Sequence, residues 1–115
     1  MSAAGSAGPV IGVYGGSFDP VHRGHLTIAR RALAQVPCDE VWFVPAARSP
    51  FKPAGAQAAA RDRVDLLEAA LADEERMRVC TVELDHPGRR SVDTVRSLRE
   101  DRPEAHWRWI MGEDA

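Results

Sequence analysis

The hydrophobic positions of this chain switch repeatedly between two spacings. Val10–Tyr14 is a short, nearly all-apolar run, the pattern of a strand covered on both faces. From Gly24 to Val36, the apolar residues Leu26, Ala29, Leu33 and Val36 recur at helical spacing, and Pro37 stops the run. Val41–Val44 reads as a second buried strand ended by Pro45, and residues 46–57, with two prolines and a glycine, read as a loop. A helix over Ala58–Ala72 carries Val64, Leu67 and Leu71 on one face. Met77–Val82 predicts a third strand, followed by the turn HPGRR. Ser91–Asp101 predicts a third helix, with Val92, Val95 and Leu98 inward and Pro103 beyond its end. Trp107–Met111 predicts a fourth strand.

Strands separated by helices imply right-handed βαβ units, hence an α/β fold: a parallel sheet with helices on both faces. Ligands of such sheets sit at the carboxyl ends of the strands, where strand order reverses. The segments expected there are GGSFDPVHRGH, PAARSPFK, ELDHPGRRS and GEDA. Nearly every unusual residue of the chain falls in those four stretches.

Composition narrows the function classes. At 115 residues the chain is one domain that buries roughly 65% of its unfolded surface. Residues 1–9, small and uncharged, read as a disordered leader, and 10–115 as the domain. No stretch approaches the roughly 18 apolar residues that span a bilayer, and no signal-peptide pattern appears, so the expected setting is the cytoplasm, with no membrane partner. Cys38 and Cys80 are too few and too far apart for a disulfide scaffold or zinc knuckle, and no protein-held metal site is expected. A formal net charge of -2 argues against nucleic-acid binding, which needs a clear excess of positive charge. Among fifteen basic residues Lys52 is the lone lysine.

The loop after the first strand carries most of the chemistry. Gly15 and Gly16 let the backbone turn and a ligand approach, Pro20 stiffens the loop, and Gly24 lets the helix start pack close. A helix beginning near His22–Gly24 turns free amides and the positive end of its dipole into the crevice. His22 and His25, three apart, share one face of the first turn and reach the same group. Two imidazoles there suit hydrogen bonding to a polyphosphate better than metal binding, since no third ligand of the right spacing is evident. The competing reading is a tight turn with one interior and one surface histidine. Neither GxxxxGK[ST] nor GxGxxG is present.

GGSFDPVHRGHL resembles the signature of the HxGH nucleotidyltransferases, and its double glycine resembles the bacterial nicotinate-nucleotide adenylyltransferases. DEVWFVP with the Pro50/Lys52 loop, SVDTVRSL and WIMGEDA resemble further segments of that family in the same order, so the likeness covers nearly all of residues 10–115. It implies a Rossmann-like nucleotidyltransferase fold, of which this chain reads as an amino-terminal portion. It also implies adenylyl transfer from ATP to nicotinate mononucleotide, releasing pyrophosphate, in NAD biosynthesis. His22 and His25 would then be the catalytic pair on the ATP phosphates, with Mg²⁺ sharing the load. Gly15, Gly16, Ser17, Phe18 and Gly24 would line the ATP site, with Ser17 at the junction of the two nucleotides, and Gly112 and Asp114 on the adenosine side. Phe51, Lys52, Arg90, Ser91 and Thr94 would meet the mononucleotide.

The chain departs from the family's pattern at Ala46, where many relatives have Asn, and at Ser49–Lys52, where many read PPHK or PPHR. It departs again at Arg90-Ser91, where many carry a Tyr. These departures bear on acid-versus-amide preference more than on adenylyl transfer. The rival expectations are a sibling enzyme, transferring to phosphopantetheine or nicotinamide mononucleotide or transferring a cytidylyl group, and a non-catalytic nucleotide-binding portion. Oligomeric state stays open.

Overall fold

A computed structural model describes residues 8–16, 18, 21–35, 38–46, 56–85 and 91–110. Its elements are β1 (Val10–Gly16), α1 (Arg23–Gln35), β2 (Glu40–Pro45), α2 (Ala56–Ala70), β3 (Met77–Val79), the single turn α3 (Val82–Asp85), α4 (Ser91–Asp101) and β4 (His106–Ile110). The four described strands form one sheet in the order β3-β2-β1-β4, with every neighbouring pair parallel. Val13 lies opposite Trp42 on one side and Trp109 on the other. The chain builds outward from β1 to β3, then crosses back to place β4 on β1's other flank. That reversal puts the switch point between β1 and β4, the place where parallel α/β sheets open a crevice beyond their carboxyl ends.

Alternation along the strands divides the core in two. Tyr14, Val41 and Phe43 point to one face, where Ala29 of α1 and Leu67 of α2 cover them together with Leu71, Cys38 and Met77. Val13 and Val44 point to the other, where Leu98 of α4 packs with Trp42, Val82 and Trp107. Helices therefore cover both faces, as the buried-strand patterns require. Each fully buried Leu or Val contributes roughly 1.5–3 kcal/mol by leaving water.

Most boundaries shift by one or two residues from the sequence reading, and α2 and β3 differ most informatively. Helix α2 begins at Ala56, inside the expected loop, and Leu71 lies in the turn after it. Strand β3 is only three residues, and Val82 belongs to α3 rather than to the strand. Thr81 explains the early end: the Asp85 amide donates to its carbonyl at 2.9 Å, and its hydroxyl donates to Asp85 Oδ2 at 3.1 Å. With Glu83 and Asp85 in the turn, that segment carries a helix-start signature inside a run that reads as β-branched. The DEER run at 73–76 ties elements together. Glu74 accepts from Arg30 of α1 at 2.6 Å, and Arg76 donates to the carbonyls of Cys38 and Asp39 at 2.7 and 3.0 Å.

Candidate active site

Gly15 and Gly16 are still strand, lying opposite Val44 and Pro45. The reversal of the chain therefore comes later than expected. Beyond the strand Phe18 has φ at 48°, and it is the one non-glycine residue among those described in the left-handed region. Such a backbone costs a side-chain-bearing residue about 1–2 kcal/mol. Burial offsets it: the Phe18 ring is 1% exposed and lies edge-on to Tyr14 at 5.3 Å and to His25 at 5.0 Å, with Phe43 at 5.3 Å. A Cβ on Gly16 would stand 3.3 Å from the Phe18 ring, a tight contact to which that buried ring would have to adjust. The glycine makes room for a core aromatic as well as for any ligand.

Helix α1 then starts at Arg23, with His22 as the residue before it. The Gly24 amide donates to His22 Nδ1 at 3.1 Å, and the His22 amide donates to His25 Nδ1 at 3.0 Å. The His25 amide closes the first turn on the His22 carbonyl at 3.0 Å. The two imidazoles stack, with centroids 3.8 Å apart and planes 29° apart. A Cβ on Gly24 would fall 2.9 Å from His22 Cε1, so this glycine serves the His22 ring rather than contact with the sheet. The first turn of α1 holds no acidic residue and begins with Arg23. A cation at that end adds to the positive field of the helix instead of relieving it, which suits an anionic ligand.

The carboxyl ends of β1 and β2 are joined just below this turn. The Ala46 amide donates to the Gly16 carbonyl at 2.8 Å, and Arg63 of α2, buried, donates to the Ala46 carbonyl at 3.2 Å. Sequence reading missed Arg63 as a structural contributor. The available signal was its place four and eight residues before Leu67 and Leu71, on the apolar stripe of α2.

At the start of α4, Thr94 is 0% exposed, and its hydroxyl donates to Glu83 at 3.0 Å, which ties α4 to α3. Ser91 begins α4, as its position in SVDTV predicted. Ser17, Phe51, Lys52, Arg90, Gly112 and Asp114 lie outside the described residues, as do Pro20 and His86. The expectations for them stand as sequence readings.

Cys80, just past β3, is half-buried, and burial pushes its thiol pKa up, with the nearby carboxylates of Asp85, Glu83 and Asp101 acting in the same direction. It is not an activated nucleophile. Among the described residues no group of three His, Cys, Asp or Glu side chains is arranged to hold a metal ion. No described helix is long and apolar enough to cross a membrane. What the site offers is hydrogen-bond donors and positive field beyond β1, with no activated nucleophile beside them among the described residues.

Comparison with known proteins agrees with this geometry. The cytidylyltransferase-like family profile matches residues 13–115. A Shouchella clausii protein named probable nicotinate-nucleotide adenylyltransferase is 46% identical over 105 residues, which are 90% of this chain and 55% of that protein. A Gloeobacter violaceus protein of the same name is 42% identical, with 93% of this chain and 52% of that protein covered. The chain spans about half the length of the curated relatives it matches. Among solved structures, the Plasmodium falciparum nicotinic acid mononucleotide adenylyltransferase complexed with NaAD superposes with a TM-score of 0.69 at 16% identity, over 89% of this chain and 51% of that one. With that profile matched over residues 13–115, the chain belongs to the cytidylyltransferase-like family.

Proposed function

We propose that the protein transfers the adenylyl group of ATP to nicotinate mononucleotide, forming nicotinate adenine dinucleotide and pyrophosphate in NAD biosynthesis. The observation that carries this reading is the stacked His22–His25 pair at the start of α1, immediately beyond β1 and beside the β1/β4 switch point. The printed names of the relatives support the choice of substrates. A 5′-phosphate oxygen of the mononucleotide attacks the α-phosphorus of ATP in line. The bond from that phosphorus to the bridging oxygen breaks, and pyrophosphate leaves with the electron pair. No protein nucleophile is required, so positioning and charge neutralisation supply the catalysis.

In this reading His22 and His25 donate to the ATP phosphates, and Mg²⁺ enters with ATP as its counter-ion. The backbone of Gly15, Gly16, Ser17 and Phe18 lines the junction between nucleotides, Gly24 admits the His22 ring, and Gly112 and Asp114 face the adenosine. Phe51 and Lys52 approach the mononucleotide. Ser91 and Arg90, at the start of α4, favour a nicotinate carboxylate over a neutral amide, because helix amides and a guanidinium both reward negative charge. Residues 10–115 belong to a Rossmann-like nucleotidyltransferase domain, and the setting is the cytoplasm.

The test is pyrophosphate release from ATP and Mg²⁺ with nicotinate mononucleotide, nicotinamide mononucleotide or 4′-phosphopantetheine as acceptor, with CTP replacing ATP in a parallel set. Release with ATP and nicotinate mononucleotide alone is expected. Release with a different pair would assign the chain to a sibling transferase. Substituting Arg90 is expected to lower the acid-to-amide ratio, and an unchanged ratio would remove Arg90 from the acceptor site.

A further inference from the structure

The bonds at the start of α1 form a reciprocal pattern. A helix N-terminus is commonly closed by a Ser or Thr that accepts from an amide in the first turn, while a Glu three residues on accepts from the amide of the capping residue. Here the same two bonds are made by imidazoles. His22 stands at the cap and accepts from Gly24, and His25, three residues on, accepts back from His22.

We infer that His22 and His25 form a two-histidine capping box that locks both rings with Nδ1 bare and the proton on Nε2. A backbone amide can only donate, so each Nδ1 must present a lone pair to it. In a neutral imidazole the proton then sits on Nε2, and Nε2–H becomes the donor edge of each ring. One pair of bonds closes the helix and aims two donors with the same polarity. Gly24 is a positioning residue in this device, since the 2.9 Å approach to His22 Cε1 leaves no room for a methyl group. Phe18 is a second, because its buried left-handed turn sets its ring edge-on to His25 at 5.0 Å. The inference rests on the adenylyl-transfer reading only for the identity of the anion that the two donors hold.

The decisive readout uses no substrate. Long-range ¹H–¹⁵N correlation on the histidine rings of the full chain, at mildly alkaline pH, is expected to show both as Nε2–H tautomers. Two substitutions separate the cap from the donor. The Asn carboxamide ends where Nδ1 lies, so His22→Asn keeps the cap and loses the outer donor. The Gln carboxamide reaches the Nε2 position, so His22→Gln keeps a donor and loses the cap. His22→Asn is expected to melt close to the parent chain, and His22→Gln about 4–8 °C lower, the shift for one lost cap in a domain of this size. ATP affinity should follow the reverse order, with His22→Asn weaker by about tenfold or more. Gly24→Ala should resemble His22→Asn, with melting nearly unchanged and ATP weakened, because better helix propensity offsets the displaced cap. An Nδ1–H pattern on either ring, or equal melting of His22→Asn and His22→Gln, would overturn the inference. Failure of the parent chain to bind ATP would instead count against the transfer reading, since neither the spectrum nor the melting order depends on it.

Discussion

Around the start of α1 the rings of Tyr14, Phe18, Phe43 and His25 form one cluster, with contacting centroids 5.0–6.1 Å apart, and both Nδ1 atoms of the histidine pair accept backbone amides. Across β1, on β4, the arrangement is sparse. Trp109 is 47% exposed, and the Nε1 of Trp107 is buried with no acceptor among the described residues. A buried donor left without an acceptor costs about 1–3 kcal/mol, whereas every ring near His25 is packed or bonded. The difference teaches where this chain invests its precision. The crevice beyond β1 is held from below by aromatic packing and from the side by the helix cap. The β4 flank supplies sheet pairing and the Trp107 ring, which lies edge-on to Trp42 at 5.4 Å beside Val13, Val44 and Leu98.

The largest effect that would break this contrast comes from Phe18. Phe18→Ala removes a fully buried ring while retaining a left-handed backbone, and it should cost about 3–5 kcal/mol in urea unfolding. A loss below about 1 kcal/mol would mean that the aromatic cluster does not anchor the loop. Next is His25→Ala, which should lower kcat for pyrophosphate release by about 10²–10³-fold while leaving a cooperative unfolding transition. Turnover within twofold of the parent would take His25 out of the phosphate site.

A smaller effect concerns pH. Burial raises the Cys80 thiol pKa above its ordinary value of 9.0, so the folded chain keeps a proton that the unfolded chain loses first. The associated stability is complete below 9.0 and falls as pH rises from there through the raised value. Cys80→Ser should flatten the alkaline limb of the stability profile. An unchanged slope would place the alkaline loss elsewhere. The smallest effect of the alanine substitutions is expected at Trp109. Trp109→Ala should cost about 1–2 kcal/mol, less than Phe18→Ala, because nearly half of the residue already meets solvent. A loss comparable to that of Phe18→Ala would erase the contrast between the two flanks.

Much of this arrangement was legible before any coordinates. Helix α4 has the predicted ends, Ser91 and Asp101, since its apolar spacing is regular and Pro103 stands just beyond it. The four strands, their parallel sense and the helix starting beside His22 follow from alternating periods and the glycine-rich handover. Short-range composition misled at Met77–Val82, where β-branched residues suggested continuing strand but Thr81 and two acids started a turn of helix. Phe18 could not be read, because nothing in a phenylalanine announces positive φ; only tertiary burial makes that backbone tolerable. The structural bonds of Arg63 and Thr94 were not legible for a related reason. Their polar groups are satisfied by partners distant in sequence, the Ala46 carbonyl and Glu83, and periodicity does not reveal such partners. Gly24 was identified as a close-approach glycine, but the group approaching it is the side chain two residues earlier, not the sheet.

The most direct test of the central claim is an ATP·Mg²⁺ titration of the isotope-labelled chain, followed residue by residue in NMR spectra. The Gly24 amide and the ring Nε2–H groups of His22 and His25 are expected to shift first and saturate together, while resonances of α4 move little. Saturable shifts centred on α4 and β4, with the histidine rings unmoved, would contradict that claim.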